Sequence, residues 1–164
     1  MKSKTNIFLV ISAAIAIALT GWIYYQMSHK VGELSSNKET DGNFKVCNED
    51  KIPNYYGMDT DFVGGKKAIK NKLLGNLQNL KFENSGLITF RFIVNCEGDI
   101  GRFRTQSTNL RLEKVEVELG KLKSIEKALS NLKDWNPAKT KFNSYDSYYV
   151  LNFKIRKNRI VDIF

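Results

Sequence analysis

The scarcest reactive groups in the 164-residue chain are two cysteines, Cys47 and Cys96, and a single histidine, His29. Two cysteines permit one intramolecular disulfide, and without a histidine beyond residue 29 they make a poor ligand set for zinc. A catalytic nucleophile needs a base within hydrogen-bond reach and a group to orient that base, and the same absence removes the usual candidate for either role. Asp59 with Asp61, and Glu97 with Asp99, resemble carboxylate pairs for general acid–base work. Each pair sits beside glycine or turn residues, where a solvated loop is the plainer reading. A phosphate loop requires Gly-x-x-x-x-Gly-Lys followed by Ser or Thr, so that backbone amides cradle phosphate and the hydroxyl holds magnesium. Here Thr60 stands in place of the first glycine and Lys67 in place of the hydroxyl residue, so Gly64-Gly65 reads as a tight entry into a helix. The residues point to no catalytic set, no metal site and no cofactor, and the expected activity is binding, not enzymatic turnover.

A binding role depends on where the charge lies. Residues 1–30 carry three bases and no acid, residues 31–50 two bases and five acids, and residues 51–164 carry 21 bases and 12 acids. The C-terminal body is basic, which attracts acidic peptides, anionic lipid heads or nucleic acid. Its length suits one globular domain, and 42% hydrophobic residues with two prolines exclude disordered and collagen-like classes.

The N-terminus decides among these partners. Ile7 to Tyr25 is free of charge and spans about 28 Å as a helix, enough to cross a bilayer. Lys2 and Lys4 hold the N-terminus in the cytoplasm, and Trp22, Tyr24 and Tyr25 cluster at the far end as interfacial aromatics. A cleaved secretory signal is the competing reading, but Ala18-Leu19-Thr20 before Gly21 fits a small-residue cleavage site poorly. Both readings export the body. Export disfavours nucleic acid as a partner and favours a Cys47–Cys96 bond over two free thiols. The expected organisation is a cytoplasmic stub and transmembrane anchor over 1–27, a polar tether over 28–50, and a folded domain over 51–164 in the periplasm.

Within that domain, Ile69, Leu73, Leu77 and Leu80 recur at helical spacing after Gly64-Gly65. Ile88, Phe90, Phe92 and Val94 alternate with Thr89, Arg91 and Ile93, and Glu97-Gly98-Asp99 turns the chain into Ile100–Ser107, a β-hairpin. Cys96 shares parity with the apolar set, which predicts a core-facing sulfur. Leu119, Leu122, Ile125, Leu129 and Leu132 mark a second helix, ended by Trp135-Asn136-Pro137. Tyr149, Leu151, Phe153 and Ile155 alternate with Tyr148, Val150, Asn152 and Lys154 in a third strand, and Lys157-Asn158 turns it into a fourth, Ile160–Phe164. The expected fold is α+β: two helices packed on one face of a small antiparallel sheet, preceded by one transmembrane helix. The aromatic third strand, followed by Arg156, Lys157 and Arg159, suits pairing of a free backbone edge with an extended acidic peptide; an ordinary core strand is the alternative.

Phe62-Val63-Gly64-Gly65, the run Gly86 to Ile100, Trp135-Asn136-Pro137-Ala138 and Tyr148 to Ile155 together resemble the C-terminal domain of TonB, over roughly residues 60–164. The resemblance implies a single-pass protein of the inner membrane that binds segments of a TonB-dependent outer-membrane receptor by strand pairing and passes on force from a proton-driven motor complex. Carried over, the partner-binding strand is Tyr148, Tyr149, Val150, Leu151, Asn152, Phe153, Lys154 and Ile155. This chain differs from the family in lacking a long proline-rich spacer and in having Ala16 where the motor-coupling helix keeps a histidine one turn after Ser12. Those differences define a second expectation, an anchored periplasmic structural or regulatory module without motor coupling.

Overall fold

The computed structural model describes residues 2–31, 36–55 and 57–164, in two units, Met1–Ser35 and Ser36–Phe164. The first unit is one helix, α1 (Lys2–Val31). Its segment Asn6–Tyr25 is long and apolar enough to cross a membrane, and every side chain in it is exposed. Ser12 Oγ donates to the Leu9 carbonyl at 2.9 Å and Thr20 Oγ1 to that of Ala16 at 2.8 Å. Both hydroxyls are therefore satisfied inside the helix, as a hydrocarbon environment demands.

The second unit opens with α2 (Lys38–Asp41), a single turn capped by Asn37, whose side chain accepts from Glu39 N–H. A two-residue strand β1 (Asp61–Phe62) leads through Gly64 and Gly65, both at positive φ (85° and 67°), into α3 (Gly65–Leu77). The hairpin β2 (Gly86–Val94) and β3 (Ile100–Asn109) follows, then α4 (Leu119–Ser130). Three two-residue strands, β4 (Trp135–Asn136), β5 (Ala138–Lys139) and β6 (Ser144–Tyr145), lead to β7 (Ser147–Arg156) and β8 (Arg159–Ile163). The main sheet runs β3-β2-β7-β8 and is antiparallel at every junction.

Alternation in β2 and β7 places Ile88, Phe90, Phe92 and Val94 beside Tyr149, Leu151, Phe153 and Ile155 on one face. There Ile69, Leu73 and Leu77 of α3 and Ile125 and Leu129 of α4 close the core. Each such large apolar side chain contributes about 1.5–3 kcal/mol by leaving water. The helical stripe of the second helix is narrower than its spacing suggests: Leu119, at the first position of α4, is exposed, while Leu132 is buried just beyond its end.

The polar stretch expected to be a tether to residue 50 belongs, from Ser36 onward, to the folded unit. It covers the sheet face opposite the helices, near the hairpin turn, where Ile93 is buried outside the main core. Phe44 lies against Gly101, where any Cβ would overlap its ring. A β-bulge sets two residues, Arg102 and Phe103, opposite Phe92. Arg102 adopts φ 56° there and is 3% exposed, its guanidinium turned toward the segment. It donates to both Glu49 oxygens at 2.6 and 2.9 Å, and Arg104 to both Asp41 oxygens at 2.6 and 3.1 Å. Low mean hydropathy hid this segment because it is held by ion pairs and a covalent bond more than by an apolar stripe.

The hydrogen bonds from Arg102 hold the Glu49 carboxyl below its usual pKa. Burial pushes Asp41 up, but the bonds from Arg104 and the Asn37 backbone, with both guanidiniums nearby, outweigh it and leave Asp41 lowered as well. Carboxyls lowered by folding stabilise it above their unfolded pKa values, and that stability is lost as pH falls below about 4 through the folded values. Amide protection factors of residues 41–49, taken against the intrinsic exchange rate at each pH, are therefore expected to fall between pH 5 and 3, and Arg102→Gln to lower them at neutral pH and flatten the acid dependence.

Candidate partner-binding edge

Two short motifs far apart in sequence meet in the structure. β1 pairs with β4, Phe62 opposite Trp135 and Asp61 opposite Asn136, and Val63 N–H donates to Asp134 O at 2.8 Å. The Phe62 and Trp135 rings lie edge-on at 5.2 Å, and Trp135 also meets Tyr149 at 5.0 Å and Phe92 at 5.4 Å. Gly98, at φ 87°, lets the hairpin turn pass against the Trp135 carbonyl, which a side chain would strike. These motifs thus seal one end of the core. Asp61, a candidate acid–base residue in sequence, accepts the Tyr149 hydroxyl at 3.0 Å and its neighbour's Phe62 N–H. Glu97 and Asp99 flank the hairpin turn, and their backbone N–H groups both donate to Asn95 Oδ1.

Cys47 and Cys96 are bonded, with Cα atoms 6.1 Å apart and a separation of 49 positions in sequence. The sulfur of Cys96 does not enter the core as parity predicted: Cys47 is exposed and Cys96 half-buried. Beyond Val94 the strand has ended, and Phe92, Ile93 and Val94 are all buried because both sheet faces are covered there, so parity no longer marks the core. Beneath the bond, Asp146 is 1% exposed and accepts three backbone N–H groups, from Cys47 (2.9 Å), Asn48 (2.7 Å) and Cys96 (3.0 Å). Sequence reasoning missed Asp146 because its partners are main-chain amides, which leave no pattern of residue types. The two sulfurs and Asp146 lie within 4.8 Å of one another. With the sulfurs bonded together and the carboxyl oxygens occupied by amides, the trio is a structural joint and a poor metal donor set.

The strand expected to offer its backbone, Tyr148–Ile155, is interior. Tyr149, Leu151, Phe153 and Ile155 point into the core, and Tyr148, Val150, Asn152 and Lys154 are half-buried on the other face. β2 pairs with it along its full length. On its other side β8 covers Phe153–Arg156, Phe164 exchanges both backbone bonds with Asn152, and residues 53–55 bond Tyr148. A period-two pattern identifies a strand but not its neighbours, so it could not distinguish this strand from an edge.

The sheet ends instead at β3 and β8. The C-terminal half of β3 is occupied, Asn109 N–H donating to Glu113 O and Val115 N–H to Ser107 O. β8 has no strand beyond it among the described residues. Asp162 Oδ1 plugs part of that edge, accepting Ile163 N–H at 2.9 Å and the Lys70 ammonium at 2.7 Å. The bond from Lys70 holds Asp162 below its usual pKa. Val161, 37% exposed, stands midway along β8, and Lys157 and Arg159 are exposed at its start. A short, charged edge of this kind resists indiscriminate pairing while leaving room for a chosen extended segment. No protein-family model matches the chain, and no curated protein or solved structure matches it significantly.

Proposed function

We propose that the chain is a TonB-like, single-pass protein of the bacterial inner membrane whose periplasmic domain grips an extended segment of an envelope partner by strand addition, without catalysis. The observation that carries this reading is β8: a five-residue end strand with exposed bases at its start, beside a sheet whose other edge is partly taken. The basic surroundings of β8 suit an acidic segment, and the TonB resemblance supports a receptor of the outer membrane as its owner and transport as its purpose. Binding then falls on β8, or on the outer side of β7 if the partner displaces β8, in place of β7 as it lies in the folded sheet.

The second reading, an anchored module without motor coupling, is favoured by one specific observation. Folding from Ser36 leaves only ten residues, 26–35, between the apolar span and the domain, at most about 35 Å even when extended. A partner's segment would have to come to this domain, since a chain of that length cannot carry the domain far from its membrane.

A photocrosslinking residue at Val161, in full-length protein in intact envelopes, tests the proposal. The expected result is a mass-identified partner trapped at Val161 and not at Phe142, which is 89% exposed between β5 and β6. A TonB-dependent receptor in the adduct supports transduction, and inner-membrane proteins alone support the module. Equal yields at the two positions overturn strand addition at β8.

A further inference from the structure

Past the end of β3 the chain forms a tight loop, residues 109–113, tied together by the side chain of Asn109. Asn109 Oδ1 accepts Arg111 N–H at 2.8 Å and Glu113 N–H at 3.1 Å, and Asn109 Nδ2 donates to Glu113 Oε2 at 2.7 Å. The two leucines face solvent: Leu110 is 70% and Leu112 81% exposed. Leu112 sits at φ 65°, a conformation that glycine or asparagine adopts at lower cost, so the loop holds a large apolar side chain in water at a strained position. Leu110 and Leu112 themselves line, with Leu87, Phe164, Lys154 and Arg156, a shallow groove of about 190 Å³ whose lining holds no acidic residue. Exposed apolar side chains rigidly presented with Arg111, Lys154 and Arg156 nearby, and with Glu113 as the one carboxylate of the loop, are the composition of a bilayer-interface contact.

We infer that the Leu110–Leu112 loop and its basic rim dock on the anionic lipid surface of the membrane that holds α1. The inference rests on the anchor reading of α1. Charge favours lipid over a peptide as the occupant: Arg111, exposed on the loop, together with Lys154 and Arg156 of the groove that both leucines help to line, complements a negative surface extended in two dimensions. The ten-residue connection also keeps the domain at high effective concentration over that surface, so that even a weak contact is populated. Docking would hold the domain against the membrane and set which of its faces meets a partner.

The test uses the full-length chain in nanodiscs of phosphatidylcholine with or without phosphatidylglycerol. A nitroxide is placed by Leu112→Cys, or by Leu110→Cys should the first variant unfold; the native cysteines are bonded to each other and do not react. A second label at Phe142→Cys is the aqueous control. Docking predicts at least threefold lower accessibility of position 112 than of position 142 to a water-soluble nickel chelate in phosphatidylglycerol discs. Arg111→Glu with Arg156→Glu, or omission of phosphatidylglycerol, should abolish the difference. Equal accessibility in phosphatidylglycerol discs overturns the inference alone. Shielding that persists in the charge-reversed protein or without anionic lipid also overturns it, and points to protein as the occupant. A chain that fails to enter the discs removes the anchor and, with it, this docking.

Discussion

Replacing Cys47 and Cys96 together by serine is expected to lower the stability of the folded unit by roughly 4 kcal/mol, since the bond closes a loop of 49 positions in the chain-entropy account. The bond also has a local task. It fastens residues 41–49 over Ile93 and Gly101, a contact that otherwise depends on the Phe44 ring and on the Arg102 and Arg104 ion pairs. Two measurements separate the effects. Chemical denaturation of the oxidised and doubly substituted proteins gives the global loss as a fall in transition midpoint. Limited proteolysis in native buffer reports the local one, with cleavage between Ser36 and Asp50 expected to rise well before the sheet unfolds. Equal midpoints and equal cleavage would show that the bond adds nothing the ion pairs do not already supply.

Asp146→Ala is expected to cost about 3 kcal/mol or more. It strips the acceptor from three backbone N–H groups at once, and hydrogen bonds of this kind contribute about 1–3 kcal/mol each, with an uncompensated penalty for any donor left away from water. Asp146→Asn keeps one acceptor oxygen and should lose roughly half as much. The Cys47 and Asn48 amides belong to the segment that the disulfide fastens, and the Cys96 amide to the end of the hairpin, so the two devices hold the same joint. Their effects should not add: in the triple variant the loss should fall short of the sum by at least about 0.5 kcal/mol, the usual coupling between groups in one network. A double-mutant cycle on denaturation midpoints measures it, and strict additivity would show that Asp146 and the disulfide act on separate structures.

The elements of the domain were legible because hydrophobic period is a local property. Ile69, Leu73 and Leu77 fall on one stripe of a helix whatever surrounds them, and the alternation of β2 and β7 survives in the folded sheet. The bond between the two cysteines was expected because the apolar N-terminal segment suggested export and only one pair was possible. Chemistry of contact was less legible. Residues 36–50 look like a tether because no apolar period runs through them, yet Asp41, Phe44, Cys47 and Glu49 each find specific partners on β3 or in the turn before it. Isolated contacts of that kind have no period to detect.

Residue order alone specified an N-terminal helix with an uncharged stretch long enough to cross a membrane, a basic α+β domain with helix, strand, strand, helix, strand, strand in order, and a single disulfide. Long-range packing placed β7 between β2 and β8, left β3 and β8 as the two end strands, began the domain at Ser36 and set Phe62 against Trp135. Secondary structure is written in the spacing of neighbouring residues along the chain. Strand order and the covering of a sheet's second face depend on which distant surfaces fit, and that is set by packing among residues dozens of positions apart.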